Sequence, residues 1–189
     1  MSQRSAGPGV PRRALLRLLT APVLAAPLLG GCGFRPVYAR RSSGEAGAAA
    51  EGLAETSILL IPERPGQLLR NALQERFERS GLALARRYDL GVTFGITSEA
   101  ISIQQDTSST YIRYVGTANY RLTAQDPSRS TLTTGTARSV DGLNFFDQQL
   151  FAADLEGDVV QQRIAEAIAD SIALQLAAYF NKQAAVSAH

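Results

Sequence analysis

The spacing of apolar positions changes three times along the chain, and each change predicts an element. Thr56–Ile61 (Thr-Ser-Ile-Leu-Leu-Ile) is a short apolar run stopped by Pro62 and Pro65, which suits a buried strand. From Gly66 to Ser80, Leu68, Leu69, Ala72, Leu73 and Phe77 recur at helical spacing with Arg70, Asn71, Gln74, Glu75 and Glu78 between them. That predicts an amphipathic helix, ended by Gly81. Leu82–Arg87 then returns the chain to a sheet. From Tyr88 to Val140 the period is two: Leu90, Val92, Phe94 and Ile96 alternate with Gly91, Thr93, Gly95 and Thr97. The apolar parity shifts at Ile101 and Ile103, implying a bulge or bend near Ser98–Ala100.

After the polar turn Gln104–Thr110, one strand places Ile112, Tyr114, Gly116, Ala118, Tyr120 and Leu122 on one face and Arg113, Val115, Thr117, Asn119 and Arg121 on the other. Gln125–Ser130 turns the chain again, and threonine-rich Thr131–Val140 reads as an edge strand. A second stripe, Val160, Ile164, Ala167, Ile168, Ser171, Ile172, Gln175, Leu176, Tyr179 and Phe180, predicts a long helix that starts near Phe151 or at Asp158 and ends near Lys182. Asp154, Glu156 and Asp158 suit the positive end of its dipole. The order strand, helix, three meandering strands, helix is that of an α+β fold: a two-layer sandwich with two helices on one face of a four-stranded mixed sheet. The other face (Thr93, Thr97, Thr117, Asn119, Arg121) is polar and uncovered.

Upstream, Arg12, Arg13 and Arg17 precede an uncharged apolar run from Leu18 to Leu29 and then Leu29-Gly30-Gly31-Cys32. This is the order of a secretory signal peptide. The run of 12 residues is well short of the roughly 20 that a spanning helix needs. Leu-Gly-Gly-Cys resembles the bacterial lipobox, in which the chain is cut before the cysteine and the cysteine is acylated, which here gives a signal peptide at 1–31 and a lipid anchor on Cys32. Gly33, where enterobacterial sorting uses Asp for inner-membrane retention, favours the outer membrane. Arg12-Arg13 leaves export by the twin-arginine or the general route open. The stretch 32–55, small and polar around Gly44–Ala50, reads as the lipidated N-terminus and a flexible linker. Residues 56–183 then form a single domain, with 184–189 a disordered tail.

Cleavage changes the charge balance. It removes Arg4, Arg12, Arg13 and Arg17 and no acidic residue, so the 158 remaining residues carry 15 basic and 17 acidic side chains, a net −2. The main electrostatic support for a nucleic-acid partner is thereby lost. Chemistry is sparse. The only histidine is His189, the last residue, and Cys32 is the only cysteine. No Cys/His metal spacing exists, Asp154, Glu156 and Asp158 do not form a calcium loop, Gly91, Gly95 and Gly116 make no phosphate loop, and Ser102, Ser108 and Ser109 have no base in a recognisable motif. The reading is a protein without catalytic, metal or cofactor sites.

The lipobox followed by Gly33-Phe34-Arg35-Pro36-Val37-Tyr38, the element order, and the ending Leu176-Ala177-Ala178-Tyr179-Phe180 together resemble the LPS-assembly lipoprotein LptE family in its alphaproteobacterial form. The resemblance implies two helices on a four-stranded sheet and the lipoprotein subunit of the outer-membrane LPS translocon, which plugs the LptD β-barrel, assists its assembly and binds lipopolysaccharide. No motif carries LPS contacts over. Bidentate guanidinium chemistry makes Arg86, Arg87, Arg113, Arg121 and Arg138 candidates for phosphate contact, with Arg86, Arg87 and Arg113 preferred for their places at a strand entrance and beside the hairpin. The alternatives are a stand-alone lipid-anchored carrier or scaffold without a barrel partner and, more remotely, a serine hydrolase.

Overall fold

The structure, a computed structural model, describes residues 46–103, 110–145 and 150–187, all within the unit Val37–His189. The described elements are, in order, α1 (Ala48–Ala54), β1 (Thr56–Ile58), α2 (Glu63–Glu78), β2 (Tyr88–Ile103), β3 (Thr110–Ala124), β4 (Thr131–Phe145) and α3 (Leu150–Ser187). The sheet order is β1-β2-β3-β4, with β1 parallel to β2 and the other pairs antiparallel. A parallel pair needs a crossover, and α2 supplies it. The expected α+β architecture on a four-stranded mixed sheet is present, with a third helix added. β4 is an edge strand, as β1 is at the other side, and the register of β2 against β3 shifts between Ala100 and Ser102, beside the expected bend.

The third helix corrects the expected linker. Within 32–55, residues 48–54 are helical, and Ala49, Leu53 and Ala54 are buried. Seven residues cannot hold a helix alone, even with the high propensity of Ala48–Ala50; tertiary packing holds this one. Gly52 lies so close to Phe180 of α3 that an added Cβ would overlap the ring, and the Thr56 hydroxyl donates to the Gly52 carbonyl at 2.7 Å. Leu53 is the one large apolar residue of α1, so its sequence shows no period. Residues 1–45, including the signal peptide, Cys32 and Gly33–Tyr38, lie outside the described residues, as does 104–109 of the expected hairpin.

Other boundaries move for local reasons. β1 ends at Ile58, and Ile61 turns into the core while Leu60 is left 81% exposed. α2 begins at Glu63, so Pro65 falls in its first turn, where the missing N–H has no intrahelical partner to lose. Gly81 has φ of 67°, the left-handed conformation that suits a residue beyond a helix end. α3 runs through Ser187 and takes in most of the expected tail, Ala184 and Ala185 being strong helix formers.

α3 joins the layers. Val160, Ile164, Ile168, Ile172, Leu176 and Phe180 are all buried and recur every fourth residue, and Ala165, Ala169, Ala173 and Ala177 are buried beside them. At about 100° per residue, each four-residue step drifts by roughly 40°, so the stripe winds around the helix. Its upstream part meets the sheet, where a Cβ at Gly116 would overlap Ile164 and reach Ile168. Its end meets α1 and Tyr88, whose ring centroid lies 5.3 Å from that of Phe180. The small alanines allow this close approach. Ala167, placed on the stripe by sequence, is exposed instead. The core-facing residues Leu90, Val92, Ala118, Tyr120, Leu122, Ala137 and Leu143 join the helices in one cluster, so all three helices cover the same face.

Candidate functional site

The three preferred arginines do not converge. Arg86 Nη1 donates to the Ala54 carbonyl at 2.6 Å and the Thr56 carbonyl at 2.9 Å, and its other nitrogen lies 3.7 Å from Glu78. It closes the C-terminus of α1 and ties it to β1 and α2. Arg87 lies 3.6 Å from Glu55 and 5.9 Å from the centroid of the Tyr88 ring. Arg113 pairs with Glu99, its cross-strand neighbour. The eleven-residue step from Tyr88 to Glu99 along β2 puts Arg113 roughly 36 Å from the Arg86–Arg87 end. No single phosphate group spans that distance, and Arg86 serves the fold.

Among the described residues, none of the helices covers the second face of the sheet. Thr93, Thr97, Thr117, Asn119, Arg121, Thr134, Thr136, Arg138 and Val140 are exposed there. Pairing registers Gly91 with Arg121 and Thr134, Thr93 with Asn119 and Thr136, and Gly95 with Thr117 and Arg138. The Thr136 hydroxyl donates to Asn119 Oδ1 at 2.9 Å. Leu59 and Leu60, at the end of β1, border a shallow depression of about 650 Å³ over Gly91, Thr93, Asn119 and Arg121. Among the described residues, neither the Arg121 nor the Arg138 side chain has an ion-pair or hydrogen-bond partner. The alternation of β2 and β3 foretold the polarity of this face; the share of β4 needed the register.

A second feature lies among the helices. An open groove of about 550 Å³ runs between α1, α2 and α3, walled by Ala50, Leu53, Phe77, Leu82, Ala173 and Leu174. The Arg76–Asp170 pair lies along it. The hydrogen bond from Arg76 holds the Asp170 carboxyl below the usual carboxylate range, and the same bond raises the Arg76 guanidinium, partly opposed by its burial. Across the sandwich, Tyr120 donates to Gln175 Oε1 at 2.9 Å, and burial raises its phenol pKa.

Ser108, Ser109, His189 and Cys32 lie outside the described residues. Among the described residues, no three His, Cys, Asp or Glu side chains come together as a metal site. No described helix is long and apolar enough to cross a membrane.

Comparison with known proteins places these features in a family. The family model described as LptE, lipopolysaccharide-assembly, matches residues 54–176. No curated protein matches the chain. Among solved structures, an inferred lipoprotein from Caulobacter crescentus CB15 aligns with a TM-score of 0.58 and 18% identity, over 72% of this chain and 98% of that one. A minor lipoprotein from Acinetobacter baumannii aligns at 0.54 with 14% identity, over 66% and 92%. At these identities the likeness is one of fold.

Proposed function

The chain belongs to the LptE family of lipopolysaccharide assembly, and from that premise we propose that it is an outer-membrane lipoprotein, acylated at Cys32, that plugs the LptD β-barrel, assists the assembly of that barrel and binds lipopolysaccharide during its insertion. Family membership over nearly the whole folded domain carries the reading. It is supported by the lipobox-like Leu29-Gly30-Gly31-Cys32 and by the lipoprotein descriptions of the similar folds.

The chemistry of such a role asks for surfaces and an anchor, with no reaction to run. One acyl chain gives only marginal membrane binding, at about 0.8 kcal/mol per buried CH₂, whereas several chains hold firmly. A domain inside a barrel must then meet a polar lumen. The open sheet face offers hydroxyls, an amide and guanidinium groups to such a wall.

Purification of the full chain from detergent-solubilised outer membranes tests the proposal. The expected result is a large β-barrel in stoichiometric amount and an acylated Cys32 in the mass spectrum. An unmodified thiol or an uncleaved leader would remove the envelope assignment.

One observation favours a second reading, a stand-alone lipid-anchored carrier. The apolar groove between α1, α2 and α3 has the volume of a small-ligand site. Recovery of the acylated chain with bound lipid and no barrel would favour it.

A further inference from the structure

The middle of the open face carries positive charge and no carboxylate. Between Gly91 and Thr97 on β2, Val115 and Arg121 on β3, and Thr134 and Val140 on β4, the outward positions hold threonine, asparagine, glycine, valine and two arginines. Among the described residues, the carboxylates on this side lie at its two ends and are already engaged: Glu99 by Arg113, and Asp89 by Gln125 at 2.8 Å and Arg129 at 3.5 Å. Asp141, of opposite parity on β4, turns to the helical layer and pairs with Arg163 of α3 at 2.8 Å.

From this juxtaposition we propose that the open face is a docking surface for an acidic, hydrogen-bonding protein wall, with Arg121 and Arg138 as its cationic contacts. The inference rests on the barrel reading, in which that wall is the inner surface of the barrel. Arg121 and Arg138 stand four residues apart in register on adjacent strands, roughly 14 Å from each other. Two carboxylates at four-residue spacing on a facing strand match that distance. Docking strips water from both guanidinium groups, which is tolerable only where each finds an anion. Thr93, Thr117, Asn119 and Thr134 between them supply neutral donors and acceptors, the chemistry that a polar wall needs between its charged contacts. The depression on this face is shallow and open, which argues for a wall over a small ligand, because a small-ligand site encloses most of its occupant.

The test uses the full acylated chain. Arg121→Glu with Arg138→Glu is expected to reduce the barrel recovered from solubilised outer membranes on the order of tenfold while leaving the melting temperature unchanged. Arg121→Lys with Arg138→Lys should retain most of it. The wild-type complex should also weaken as salt screens the pairs. Wild-type recovery by the double Glu variant overturns the inference and leaves the barrel reading intact. Retained barrel combined with weakened binding of purified lipopolysaccharide reassigns the face to a glycan phosphate and overturns it as well. A wild-type chain that brings no barrel sinks the barrel reading and this inference together.

Discussion

Arg76 on α2 grips Asp170 on α3 with both arms of its guanidinium, Nε to Oδ1 at 2.5 Å and Nη2 to Oδ2 at 3.0 Å, across a sequence separation of 94 residues. Arg64 grips Asp158 in the same way, at 3.0 and 2.9 Å, across the same 94 residues. An equal offset at two points twelve residues apart means that α2 and α3 run parallel and in register. Asp170→Asn is expected to lower stability by about 0.5–1 kcal/mol, a modest loss because the carboxylate stays 63% exposed. Chemical denaturation of the two proteins measures it.

The same pair sets an acid dependence. The folded-state pKa of Asp170 is depressed, so its contribution is fully present above the unfolded value of about 3.9 and is lost as pH falls through the folded value. The stability gap between wild type and Asp170→Asn should therefore hold steady from about pH 5 to 8 and close in stronger acid. Arg76 is raised, so its part is lost only as pH climbs past the ordinary arginine range. A gap that persists at the lowest pH where the protein still folds would remove the pair as its source.

Gly116 and Gly95 test the two faces of one sheet. A side chain at Gly116 meets Ile164 and Ile168, whereas one at Gly95 meets nothing within 4 Å. Gly116→Val should cost about 1–3 kcal/mol through overpacking. Gly95→Val should be neutral or slightly stabilising in a strand. Denaturant midpoints of the two variants decide it, and equal losses would mean that the open face is covered.

Leu53 separates a helix from a tether. It is 2% exposed, and Leu53→Ala should cost about 2–5 kcal/mol as a core truncation. A flexible linker at that position would show no change in the unfolding midpoint.

Arg86 should behave as a structural residue. Arg86→Ala leaves the Ala54 and Thr56 carbonyls without their donor and should cost about 1–3 kcal/mol. Arg87→Ala, on the exposed Glu55 pair, should stay within about 1 kcal/mol. Any loss of lipopolysaccharide binding by an Arg86 variant must therefore be read against its melting temperature.

The elements legible in the sequence are those whose residues bury one face with a fixed period. Alternation from Leu90 to Ile96 and from Ile112 to Leu122 announced two strands, and Leu69, Ala72, Leu73 and Phe77 announced α2, because the core selects side chains at the period of the backbone that presents them. α1 gave no such signal. One leucine among alanines and glycines has no period, and its helix is held by Phe180, which lies far away in sequence. The partners of Arg86, Arg87 and Arg113 were not legible for a related reason: the sequence names a cation but not the carbonyl or carboxylate that it meets.

By itself, the sequence determined the layered class, the polarity of the exposed sheet face and the expected acylation position, since each depends on residue order within a short span. Only the tertiary structure decided which arginines find partners among the described residues, that a third helix closes the core, and that α2 and α3 run parallel in register. Those facts depend on distances between residues that the chain keeps dozens of positions apart, and folding alone sets such distances.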